Sequence, residues 1–113
     1  MDEITKHLVE YTENISFGDL SSDIVLQTKR VLVDTIACAI GGFDSEPSHI
    51  ARQIANTGSK DGSATILGTN HQTTPDLAAF ANGVAIRYLD YNDTYVSKEL
   101  GHPSDNIAAV LAA

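Results

Sequence analysis

Thr74-Pro75-Asp76-Leu77-Ala78-Ala79-Phe80-Ala81-Asn82-Gly83-Val84-Ala85-Ile86-Arg87-Tyr88-Leu89 is the stretch that decides the fold class. A hydroxyl side chain, proline at the first helical position and an acid in the first turn are three agreeing signals for a helix start. The run from Asp76 to Leu89 therefore reads as a helix, and one rich in small residues: Ala78, Ala79, Ala81, Gly83 and Ala85. Gly83 costs up to ~1 kcal/mol relative to alanine in a helix interior. Close approach by a neighbouring helix is the expected compensation. A helix made smooth for other helices implies a mainly α chain.

Working outward towards the N-terminus, Ala64-Thr65-Ile66-Leu67-Gly68 reads as at most one short extended segment. A strand of that length needs a partner, which is expected outside this sequence unless the segment is simply extended chain. Before it, Ser45-Glu46-Pro47 opens a short helix carrying Ile50, Ala51, Ile54 and Ala55, ended by the turn-forming residues Asn56 to Gly62. Ser21 or Ser22 starts a longer helix with the stripe Ile24, Thr28, Val31, Leu32, Thr35, Ile36 and Ala39. Gly41-Gly42 is expected to end it as a glycine C-cap. A first helix runs from about Glu3 to Asn14, with Ile4, Leu8 and Tyr11 at helical spacing and Asp2 as its cap. On the other side, Ser104-Asp105-Asn106 caps a last helix from Ile107, still apolar and periodic at Ala113. The sequence is expected to be cut in mid-helix, as the N-terminal part of a longer helical domain.

The segment after the deciding helix carries the chemistry. Leu89-Asp90-Tyr91-Asn92-Asp93-Thr94-Tyr95, then Glu99-Leu100-Gly101-His102-Pro103-Ser104-Asp105-Asn106, places acids, a histidine, a threonine and amides between two apolar runs. Asp90 and Asp93 fall at or just beyond a helix C-terminus, where the dipole disfavours a carboxylate by a few tenths of a kcal/mol to ~1 kcal/mol. Acids kept where local electrostatics resists them often mark a functional site.

Composition narrows the function. The 113 residues, 42% hydrophobic and 19% charged, suit one globular domain. A net charge of −8 with only seven scattered basic residues argues against nucleic acid, which demands clustered lysine and arginine. No apolar run approaches the roughly 18 residues of a membrane span, and no signal peptide is visible at the N-terminus, so a cytoplasmic protein is expected. Cys38 stands alone within an apolar run and reads as a small buried hydrophobe. His7 and His71 are assigned no role.

Asn82-Gly83, Arg87 to Tyr95 and Gly101-His102-Pro103-Ser104-Asp105-Asn106 together resemble the MmgE/PrpD family, which includes 2-methylcitrate dehydratases and cis-aconitate decarboxylases. Asp34 to Gly42 looks like the family's early helix, and Ala64 to Gly68 like the segment after it. Asn92, Lys98-Glu99 and Asp105-Asn106 look more like the dehydratase branch; the decarboxylase branch has a shorter spacer before His-Pro and a small residue after the serine. The resemblance implies a large all-helical domain, of which this is the N-terminal part, and a smaller α/β domain formed by later sequence. It further implies a homodimer, a small tricarboxylate substrate and chemistry without cofactor or metal. Matched residue by residue, the family's functional Asp, Thr and His fall on Asp90, Thr94 and His102.

Dehydration of such a substrate needs a base, an acid and donors for its carboxylates. His102 is the acid/base or carboxylate donor, Asp90 sets its protonation or acts as base, and Thr94 donates to substrate. Asp90 and Thr94 would share a face if the helix continued through them. Arg87, Asp93 and Ser104 are the candidates for holding substrate. Arg87 either binds a carboxylate or, as the simpler reading, neutralises Asp90. Backbone N–H groups near Ser104 could bind an anion, although the Asp105 side chain can cap them instead. Asp90, Asp93, Glu99 and His102 have oxygen and imidazole donors but no standard metal spacing. A blander view makes Asp90 a solvated helix-end acid and His102 a loop residue held by Pro103. A reading of another class is a non-catalytic helical module that binds a partner helix through its apolar C-terminus.

Overall fold

The computed structural model describes residues 1–58 and 62–113. It is mainly helical, with α1 Glu3–Asn14, α2 Ser22–Gly42, α3 Glu46–Ala55, α4 Pro75–Arg87 and α5 Ile107–Ala112. Short 3-10 turns at Phe17–Asp19 and Pro103–Asn106 lead into α2 and α5. Residues 59–61 of the turn expected after α3 lie outside the described residues.

Side-chain caps start the first three helices. Asp2 accepts from the Thr5 N–H at 2.9 Å, Ser21 from Ile24 at 3.3 Å and Ser45 from Ser48 at 3.3 Å. The Thr5 bonds hold the Asp2 carboxyl below the usual carboxylate range. Asp19 is lowered in the same way by the Ser16 hydroxyl at 2.7 Å. Thr74 sits at the start of α4 in extended conformation, yet its hydroxyl makes no cap bond; it acts on Asp76, whose carboxyl it holds low.

α4 is the centre of the molecule, packed against α2, α3 and α5. Its small residues do what the sequence leads one to expect: Ala78, Ala81 and Ala85 are buried. Around them lie Ala39, Ile86 and Ala108 on one side and Ala51, Ala55 and Ile66 on another. Gly83 is not where the approach is tightest. A methyl added there would meet only the Ala108 Cβ, at an ordinary 3.8 Å.

The tight contact belongs to Gly41-Gly42, and it corrects the C-cap reading. Gly42 is the last residue of α2, and among the described residues only Gly68 and Asp90 have positive φ. A Cβ on Gly42 would overlap the Ala85 carbonyl oxygen, and one on Gly41 would lie 2.7 Å from Leu89 Cδ1. Gly42 lets the two helix backbones touch and Gly41 leaves room for the Leu89 side chain; neither turns the chain.

Extended chain is also less simple than one segment near 64–68. Ala64–Thr65 (β1) pairs antiparallel with Gln72–Thr73 (β2), so its partner is inside the chain. The turn between them runs through Gly68 at φ +77, where only glycine fits easily and where an added Cβ would press on the Phe43 ring at 2.7 Å. Asn82 of α4 fastens the start of that turn, accepting from the Leu67 N–H at 2.9 Å and donating to the Thr65 carbonyl at 3.1 Å. A second hairpin, Tyr95–Val96 (β3) with Leu100–Gly101 (β4), projects from the segment after α4. No helix among the described residues is long and apolar enough to cross a membrane.

Candidate active site

α4 stops at Arg87, and the chain turns at once. Asp90 adopts φ +49, the left-handed region that Asp tolerates better than most residues. Its N–H returns to the Arg87 carbonyl at 3.0 Å, while its carboxylate accepts from Arg87 Nη2 at 2.9 Å. The same guanidinium reaches the Asn92 side-chain oxygen through Nη1 and lies 3.5 Å from Asp105 through Nε. A cation at the helix C-terminus thus offsets both the dipole and two acids. This is the neutralising role expected of Arg87.

Beyond Arg87 the chain forms a neck below the β3–β4 hairpin. Asn92, 6% exposed, donates through Nδ2 to the Ser104 hydroxyl at 2.6 Å. Asp93 accepts from the Ser104 N–H at 3.1 Å through Oδ1, and its backbone carbonyl faces His102 Nδ1 at 2.7 Å. A carbonyl oxygen can only accept, so Nδ1 carries the hydrogen. The neutral ring therefore keeps its lone pair on Nε2, the tautomer of a general base.

Three local expectations need correction. The helix does not extend through Asp90 and Thr94, so the two share no helical face; Asp90 turns the chain and Thr94 lies exposed in the loop. Asp90 pairs with Arg87, as expected, but it does not touch His102, which is oriented by the Asp93 carbonyl instead. Asp105 caps nothing: it faces Arg87 and Asn92, and the carboxylate that takes the Ser104 N–H is that of Asp93. The anion site at Ser104 is thereby filled from within, since Ser104 is fully buried with N–H and hydroxyl both engaged. Sequence reasoning gave Asn92 no structural part. Its signal was an amide in a short stretch that otherwise carries acids at Asp90 and Asp93, as a buried group that must donate as well as accept requires.

Comparison with known proteins bears on what this arrangement belongs to. The MmgE/PrpD N-terminal domain matches residues 6–113. The chain belongs to the MmgE/PrpD family. Among the members it is similar to, a probable 2-methylcitrate dehydratase of Saccharomyces cerevisiae is 34% identical over 113 residues, covering 98% of this chain and 21% of the yeast protein. The cis-aconitate decarboxylase of Homo sapiens is 32% identical over 114 residues, covering all of this chain and 23% of the human one. The 2-methylcitrate dehydratase of Escherichia coli K12 is 31% identical over 113 residues, 97% of this chain and 23% of the bacterial one. The chain thus spans between a fifth and a quarter of these relatives.

In this MmgE/PrpD domain Asp90 and Thr94 are exposed and His102 is half-buried. An apolar groove of about 490 Å³ lies elsewhere, between Ile36, Ile40, Phe43, Ile66 and Ala85. Cys38 is buried on α2, and burial, then the charges of Asp34 and Asp93, push its thiol up and away from the reactive thiolate. Among the described residues no group of three or more His, Cys, Asp or Glu side chains is placed to hold a metal ion.

Proposed function

We propose that this chain is the N-terminal part of a 2-methylcitrate dehydratase-like hydro-lyase acting on a small tricarboxylate, 2-methylcitrate or citrate. The observation that carries the reading is the 2.7 Å contact between His102 Nδ1 and the Asp93 carbonyl oxygen, which assigns the hydrogen to Nδ1 and leaves Nε2 as the base. In dehydration a base takes the proton from the carbon next to a carboxylate. The C–H electron pair becomes the C=C bond, and the hydroxyl leaves with a proton as water. His102 Nε2 serves as that base or, once protonated, as the donor to the leaving hydroxyl. Thr94 donates a hydrogen bond to substrate. Asp90 completes the set at its fixed turn beside Arg87.

The site is half of what the reaction needs. A tricarboxylate needs cations, and Arg87 is already engaged with Asp90 and Asp105. The missing positive groups belong to the four-fifths of a full-length relative that this chain does not span. The isolated chain is accordingly inactive, and turnover of 2-methylcitrate by these 113 residues would overturn the half-site reading. In the full-length protein, His102→Ala and Asp90→Asn should each lower the rate of 2-methylcitrate dehydration by about 100-fold or more. Near-normal turnover by folded His102→Ala would remove the histidine from the reaction. Similarity to the human cis-aconitate decarboxylase supports a second reading, in which the full-length protein releases CO₂ from cis-aconitate instead.

A further inference from the structure

We propose that Asn92 is a positioning residue that sets the orientation of His102 through the neck of the hairpin, an inference that rests on His102 being the acid/base group. Asn92 and Asp93 are adjacent on one side of the neck; His102 and Ser104 stand two apart on the other. Three bonds close the two sides: Asn92 Nδ2 to Ser104 Oγ at 2.6 Å, the Ser104 N–H to Asp93 Oδ1 at 3.1 Å, and His102 Nδ1 to the Asp93 carbonyl at 2.7 Å. The first of these is made by a buried side chain that also accepts from Arg87, itself tied to the end of α4. Asn92 is the joint between the rigid helix and the loop that carries the histidine.

Only a carboxamide does this work. Its oxygen accepts from the guanidinium while its nitrogen donates to Ser104 and, at 3.5 Å, towards Asp105 Oδ1. A carboxylate of the same shape has no hydrogen to donate. It would set a like charge against Asp105 in a cluster where Arg87 already serves two acids. Asn92→Asp is therefore an isosteric change that loosens the joint: the Ser104 hydroxyl can still donate to the new carboxylate, but the contact with Asp105 turns from a hydrogen bond into a repulsion. Asp105→Asn in the same molecule reverses the pairing, because the new amide can donate to the new carboxylate.

The test uses the full-length protein as wild type, Asn92→Asp, and Asn92→Asp with Asp105→Asn. Three quantities are read: kcat and KM for 2-methylcitrate, and the ¹⁵N resonances of the His102 ring, which report which nitrogen holds the hydrogen. Asn92→Asp should lower kcat about tenfold to 100-fold with little change in KM. It should also lose the single Nδ1–H tautomer, and the double variant should recover both. A folded Asn92→Asp protein that keeps the wild-type tautomer overturns the proposal, whatever its kcat. If the single variant fails to fold, the double variant decides: a restored Nδ1–H tautomer supports the joint, and its absence in folded protein rejects it. A wild-type protein without dehydratase activity would sink the substrate reading alone, since the ring resonances need no turnover.

Discussion

Asp90 combines two unfavourable features in one residue, a left-handed backbone and a carboxylate at the negative end of a helix. Held strain of this kind costs about 1–3 kcal/mol and persists where the surroundings impose it, often at working sites. Asp90→Gly and Asp90→Ala both remove the ion pair to Arg87, so their difference isolates the backbone. Glycine accepts φ +49 and alanine does not. Thermal unfolding of the full-length protein should find the alanine variant less stable by about 1 kcal/mol; equal stabilities would show that the turn carries no strain. The pairing of Arg87 with Asp90 is legible in sequence, because a residue one turn from a helix end can be placed from spacing. That of Asn92 is not. Arg87 stands five positions before it, but Ser104 and Asp105 return from 12 and 13 positions away, and no periodic pattern announces which buried amide will meet which hydroxyl.

At the scale of elements, helix starts are legible because caps and proline act within four residues of one another, although Thr74 and Asn106 make no side-chain cap bond. Stop signals were read less well. Glycine serves both for turning a chain and for letting helices touch, and Gly42 does the second. Gly42→Ala should therefore behave as overpacking, since its methyl would overlap the Ala85 carbonyl oxygen of α4. A loss of about 1–3 kcal/mol is expected, read as a lowered unfolding midpoint of the full-length protein. Gly83→Ala, with open contact at 3.8 Å, should be neutral or slightly stabilising by the same measurement, and the reverse order would refute this account of the α2–α4 contact. The β1–β2 pairing escaped the sequence for another reason. Two-residue strands carry no alternation to detect, and their pairing is fixed by Asn82, far along the chain.

Across the whole molecule the buried core is mostly alanine, and many of the large apolar side chains face outward. Ile4, Leu8 and Tyr11 of α1, Val33 and Ile40 of α2 and Val110 of α5 are all exposed, and α1 has no buried residue. Contiguous apolar surface on a monomer marks an interaction face. The isolated 113-residue chain is expected to self-associate and to bind a hydrophobic dye, as judged by light scattering and dye fluorescence. A monodisperse, dye-silent monomer would instead favour a self-sufficient helical module. The neck of the β3–β4 hairpin has a different kind of consequence. The three bonds of the neck close beneath residues 95–101, so a change in the length of that loop should leave the histidine in register with the helix that bears Arg87.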